Sequence, residues 1–109
     1  MITPEEQVIF KDALHVYGRR SQITMAFEEM AELQKELCKY LRAEDNVPHI
    51  AEEIADVEIM LDQMRLYFGF GDRVDEIRAE KVKRLRDRMR EMNARPKCTA
   101  VLSFPFGDL

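Results

Sequence analysis

Two acidic steps at helical spacing, Glu28-Glu29-x-x-Glu32 and Glu53-x-x-Asp56, are each written into an apolar helical stripe. At about 100° per residue, Glu29 projects within about 40° of Leu33 and about 80° of Leu37, with Glu32 at the edge of the same stripe. On the following segment Glu53 falls among the projections of Ile50, Val57, Met60 and Met64, flanked by Asp56. An unpaired carboxylate in an apolar seam costs several kcal/mol, so such groups are paired, protonated or bound to a metal. Carboxylates at i and i+3 point the same way, and two such pairs on packed helices converge on one oxygen-rich volume. That chemistry suits a hard cation, Mg²⁺ or alternatively Mn²⁺, which accepts carboxylates and waters and keeps positions for a phosphate. Glu44, Glu58 and Asp62 project away from the stripe and read as solvated surface groups.

A di-iron site is the rival use of carboxylates in a helical bundle, but it would bring Glu-x-x-His pairs, and the chain has none. His15 and His49 stand near helix ends and read as surface residues.

The elements that must position these groups are all helical. Thr3-Pro4-Glu5-Glu6 reads as an N-cap, a proline at the first helical position and a capping-box Glu, opening a first helix that stops at Gly18. Ser21 is expected to cap a second helix to about Arg42. Ala43-Glu44-Asp45-Asn46 is a polar break before a third, Val47 to Phe68, ended by Gly69-Phe70-Gly71. Asp72 caps a fourth helix to about Asn93, and Pro96 forbids much continuation. Every segment has the 3.6-residue apolar period, none alternates like a strand, and the connections are short. The expected fold is therefore a single all-α domain over residues 1–95, a four-helix antiparallel bundle, followed by an irregular tail over 96–109. The apolar tail segment Thr99 to Phe106 covers the domain's own core or a neighbouring subunit.

At 109 residues with 46% hydrophobic content, the chain has a modest core that oligomerisation would complete. No apolar run approaches the roughly 20 residues a membrane helix needs, and no leader pattern opens the chain, so the sequence reads as soluble and cytoplasmic. Cys38 and Cys98 have no metal spacing and read as reduced. Residues 1–62 hold 14 acidic against 6 basic side chains, a local charge of −8, while residues 63–109 hold 7 against 11, or +4. An acidic half and a basic half are what a metal-bound polyphosphate would need, although solvated helix faces give the same asymmetry.

On the fourth helix Lys81, Arg84 and Arg88 fall within about 60° of one another beside Val74, Ile77, Leu85 and Met92, where cations can reach phosphate or simply snorkel at the core edge. Glu76, Glu80, Asp87 and Glu91 interrupt this face and the chain as a whole is acidic, which argues against nucleic acid. No Gly-rich Lys-Ser/Thr phosphate loop is present, so a nucleotide would have to be held through metal and basic side chains.

The combination Glu28-Glu29-Met30-Ala31-Glu32, a gap, then Glu53-Ile54-Ala55-Asp56, with the surrounding Gln22 to Phe27 and the basic last helix, resembles the MazG-like all-α nucleoside triphosphate pyrophosphohydrolases over roughly residues 18–90. The resemblance implies that Glu29, Glu32, Glu53 and Asp56 are the catalytic carboxylates, binding Mg²⁺ and through it the triphosphate. It implies attack of water at the α-phosphorus, giving a nucleoside monophosphate and pyrophosphate. Lys81, Arg84 and Arg88 would stabilise charge on the departing pyrophosphate. Glu28, about 100° from Glu29, has an outer role. Glu36 is an outer partner or base, or else salt-bridged to a Lys or Arg. Gln22 contacts base or ribose, or is solvated at the helix start. The resemblance further implies a homodimer or tetramer and a role in clearing nucleotide pools, with dUTP or phosphoribosyl-ATP as related substrates. The chain departs from the pattern in having no tryptophan to stack on a base and no Asn beside the basic residues of the last helix. The reading from another class is a non-catalytic helical oligomer that binds a protein partner or senses nucleotide.

Overall fold

The computed structural model describes residues 2–94 as four helices in the order α1 (Pro4–Tyr17), α2 (Arg19–Leu41), α3 (Val47–Phe68) and α4 (Arg73–Ala94), with no strand among the described residues. The fold is all-α, as the apolar period requires. Residues 95–109, including Cys98 and the apolar tail segment, lie outside the described residues. No helix is long and apolar enough to cross a membrane among those described.

Helix α1 starts where its capping box dictates. Thr3 Oγ1 accepts from the Glu6 backbone N–H at 3.1 Å, and the Glu6 carboxylate accepts from the Thr3 N–H at 3.0 Å. Two otherwise orphaned donors are satisfied, and those bonds hold the Glu6 carboxyl below its ordinary pKa. The chain then turns on one residue. Gly18 adopts φ 85° and ψ 154°, donates to Leu14 O at 3.0 Å and accepts from Gln22 N at 3.1 Å, so it ends α1 and begins α2 at once. This corrects the expected start of α2. Ser21 lies inside the helix, because a glycine in a conformation closed to L side chains lets the helix begin three residues earlier than a Ser21 cap would. Gly69, at φ 69° and ψ 37°, gives α3 a left-handed C-terminal cap, with its N–H on Arg65 O and Leu66 O and the Phe70 N–H on Arg65 O.

Residues up to Gly71 form one compact unit. Within it α2 and α3 make the most extensive contact, and α1 lies chiefly against α3. The pairing of α2 and α3 is antiparallel, since Glu36 bonds Asn46 across the short loop and Gln22 bonds Gln63 at the far end. Phe10, Ala26 and Met60 are the buried apolar side chains, and Leu14, Ile23, Leu33, Ile50, Val57 and Met64 are half-buried around them. Because α3 is covered on two faces, Asp62 is half-buried instead of solvated as its projection from the α2 seam predicts, and this burial raises its pKa. A second unit begins at Asp72 and contains α4. On that helix Val74, Ile77, Arg78, Lys81, Val82 and Leu85 line an open apolar patch.

The hinge at Gly18 gives a direct test. Nothing lies within 4 Å of an added Cβ, so Gly18→Ala meets only the backbone penalty of its positive φ. The expected cost is about 1–3 kcal/mol, read as a lower urea midpoint at unchanged slope.

Candidate metal centre

The seam between α2 and α3 is built on a repeat of four and three residues. On α2 the inward positions are Gln22, Ala26, Glu29, Leu33 and Glu36, each buried or half-buried; on α3 they are Asn46, Ile50, Glu53, Val57, Met60 and Met64. Spacing of this kind keeps one stripe of each helix facing its neighbour. The stripe is unusual in alternating polar and apolar positions along α2 and from Asn46 to Val57.

At its centre, Glu29 and Glu53 are half-buried and Asp56 is exposed, and one carboxylate oxygen from each lies within 4.8 Å of the others. One oxygen of Glu53, Oε2, is shut off from solvent and has no hydrogen-bond partner. Burial raises the Glu29 carboxyl above its ordinary pKa, and Asp56, Glu53, Glu32 and Glu28 push it the same way. Burial likewise raises Glu53, reinforced by Asp56, Glu32, Glu36 and Glu52. The fields that act most on both groups are therefore negative, with no lysine or arginine among them.

Of the four carboxylates singled out by the sequence, Glu29, Glu53 and Asp56 come together. Glu32 is exposed and outside that group of three, although its charge is felt by both Glu29 and Glu53. Glu28 is exposed. Glu36 is buried, and its carboxylate accepts from Asn46 Nδ2 at 2.7 Å and from Lys39 Nζ at 3.2 Å, bonds that hold its pKa below the ordinary value. Of the two readings of Glu36, the structure contains the salt bridge. Gln22 is not solvated at the helix start: it is buried, with Nε2 donating to Gln63 Oε1 at 2.7 Å. Lys81, Arg84 and Arg88 are exposed on α4, in the second unit. His49 is exposed, 3.7 Å from Glu52, and His15 is exposed near the end of α1.

Sequence reasoning misses Asn46 and Gln63. The signal that finds them is the seven-residue recurrence Gln22, Glu29, Glu36, which asks what stands opposite each on α3.

The donor set fits a divalent cation. Three hard oxygens from two facing helices, with an orphaned buried oxygen on Glu53 and with Glu29 and Glu53 raised by burial and by like charge, form a site that is short of positive charge. Comparison of the chain with protein-family models, with curated proteins and with solved structures gives no match.

The charge shortage sets the sign of a pH effect. Carboxyls whose folded pKa is raised bind protons more readily in the folded than in the unfolded chain. Their contribution to stability is present below the unfolded value of about 4.3 and is lost as pH rises through the folded value. Removing the Glu53 charge should hence stabilise the fold at neutral pH in metal-free buffer. The melting temperature of Glu53→Gln is expected to exceed that of the native chain at pH 7, and the gap to close as pH falls toward 4. An equal melting temperature at pH 7 contradicts the charge shortage.

Proposed function

We propose that the chain is a Mg²⁺-dependent nucleoside triphosphate pyrophosphohydrolase of the MazG-like kind, with Mn²⁺ able to replace Mg²⁺, acting on nucleotide pools in the cytoplasm. The observation that carries this reading is the convergence of Glu29, Glu53 and Asp56 with a buried, partnerless oxygen on Glu53. A protein gains nothing in stability from such an arrangement, since three like charges in a seam oppose folding unless a cation binds there.

In this reading Glu29, Glu53 and Asp56 hold the ion, and Glu32 adds a further oxygen from the exposed edge. The ion, when bound, supplies neutralisation of phosphate oxygens and lowers the pKa of the water that attacks. The chain's own groups orient and hold. Glu29 and Glu53 are fixed by their half-buried stems, so the oxygens need little reorganisation when substrate arrives. Asp56, exposed at the rim, gives the triphosphate its side of approach. Water adds to the α-phosphorus, the bond to the bridging α–β oxygen breaks, and the proton lost by water passes to a carboxylate of the exposed edge. The products are a nucleoside monophosphate and pyrophosphate.

The direct experiment measures pyrophosphate release from a panel of NTPs, dNTPs and dUTP. Release is expected with Mg²⁺, absent with EDTA, and reduced on the order of 10²–10³-fold in Glu53→Gln, the loss typical for removing one group that stabilises developing charge. No release from any nucleotide by the folded chain would discard the hydrolase.

The exposure of apolar side chains supports a homo-oligomer within the same proposal. Val8, Ile9, Val16 and Tyr17 on α1 and Phe27 and Leu41 on α2 are each more than half exposed, while among the described residues three apolar side chains are buried. Apolar side chains exposed in this number favour an interaction surface, and a second copy is the occupant consistent with a closed dimer or a dimer of dimers. Light scattering after size exclusion should give twice or four times the 12.9 kDa chain mass. A monomer at micromolar concentration would contradict it.

A further inference from the structure

The seam of α2 and α3 carries its polar residues in three rungs. Gln22, Glu29 and Glu36 stand seven residues apart on α2, and Asn46 and Glu53 stand seven apart on α3, running the other way. Seven residues of helix are about 10.5 Å, so Glu29 and Glu53 meet one step from the place where Glu36 meets Asn46. The opposite step brings Gln22 to Gln63, beside Met60. The outer rungs are bonded across the seam and the central one is not.

The outer pairs are also spent in a telling way. Asn46 is the N-cap residue of α3, yet its side chain makes no cap bond to that helix. Its amide instead donates to both the backbone oxygen of Glu36, at 2.8 Å, and the Glu36 carboxylate, at 2.7 Å, while its own Oδ1 is left buried and unpartnered. Asn46 and Glu36 are 6% and 9% exposed, and Gln22 and Gln63 are 6% and 4% exposed. Buried amides that lose their partners cost far more than the bond itself. The apolar positions between them, Ala26 and Leu33 facing Ile50 and Val57, would tolerate a slip of the helices. The amides would not.

A slip of one repeat, with the last turn of α2 unwound so that the short connection can span it, would set Glu29 against Asn46 and Glu53 against Gln22. The sequence therefore contains the amides that could quiet the acidic rung, and the fold commits them elsewhere. We infer that the pairs Gln22–Gln63 and Asn46–Glu36 are register locks, positioning residues that hold Glu29 opposite Glu53 and keep the central oxygens gathered and unpaired for a cation. A buried polar residue that fixes register at a cost in stability is the best-attested use of such groups. The function of the locks as supports for cation binding rests on the proposed reading of the acidic rung; their function in holding like charges together does not.

The test is a thermal double-mutant cycle on the full chain in metal-free buffer, joined to a Mn²⁺ titration. Gln22→Met/Gln63→Met replaces one lock by apolar side chains of similar length, a change a merely structural pair tolerates with little loss. Asn46→Ala opens the other lock and serves should the first variant not fold. Glu53→Gln raises the melting temperature of the native chain because the locks hold the charges together. In either lock variant the same substitution raises it by less, because the rung has already relaxed. A full, undiminished gain in the lock variants, or no gain in the native chain, overturns the locks. In the second measurement the native chain binds Mn²⁺, and each lock variant binds it about 10- to 100-fold more weakly, the range seen when supporting groups around metal ligands are removed. Unchanged Mn²⁺ affinity in folded lock variants overturns their role in preparing the site. If the native chain takes up no Mn²⁺ while the thermal gain still shrinks, the register locks stand and the cation reading of the rung falls.

Discussion

Like charge packed at the centre of a helical seam is the constraint around which the first three helices are arranged. Glu29 and Glu53 face one another from α2 and α3 with Asp56 at their side, and the strongest fields on both are negative. In water such groups would separate by a few ångströms at little cost. In a half-buried seam they are desolvated and repel, so every neighbouring contact that keeps α2 on α3 works against them. The apolar contribution here is small, with Phe10, Ala26 and Met60 as the buried apolar side chains, which gives the amide pairs at either end of the seam unusual weight.

Stability and function pull against each other at this rung. A hydrocarbon pair at positions 29 and 53 would pack well and bind nothing. Carboxylates there oppose folding by their mutual repulsion, and under the proposed reading a bound cation would reverse that sign and link binding to folding. The lowered pKa of Glu36 fits the same picture from the other side. Its charge is held by Asn46 and Lys39, so one carboxylate next to the rung is neutralised by contacts while the rung itself is not. Two kinds of acidic residue thus share one seam, one held by hydrogen bonds and an ion pair and the other left among like charges.

The helices, most of their limits and their order are legible in the sequence, because they depend on local rules. The Thr3 and Glu6 capping box, the glycines that end α1 and α3, and the 3.6-residue period act over a few residues each. The start of α2 departs from the reading because a single Gly18 serves both helices, a competition between two valid caps that local reasoning does not decide. Asp62 departs for a different reason: its exposure depends on α1 covering a second face of α3, a fact outside any one helix. The acidic stripe is legible as well, since carboxylates at helical spacing in an apolar pattern stand out by type alone.

What the sequence by itself determines is therefore the inventory, namely four helices and a set of carboxylates that share the inward stripe of α2 and α3. Which of them meet is decided by tertiary structure. Glu29, Glu53 and Asp56 converge while Glu32 stays at the exposed edge, and Glu36 and Gln22, equally inward by spacing, are taken up by Asn46, Lys39 and Gln63. The reason is physical. Helical periodicity fixes the direction of each side chain about its own axis, but the axial register between two antiparallel helices is a separate degree of freedom. In this structure the short connection from Leu41 to Val47 and the Gln22–Gln63 and Glu36–Asn46 bonds accompany one such register.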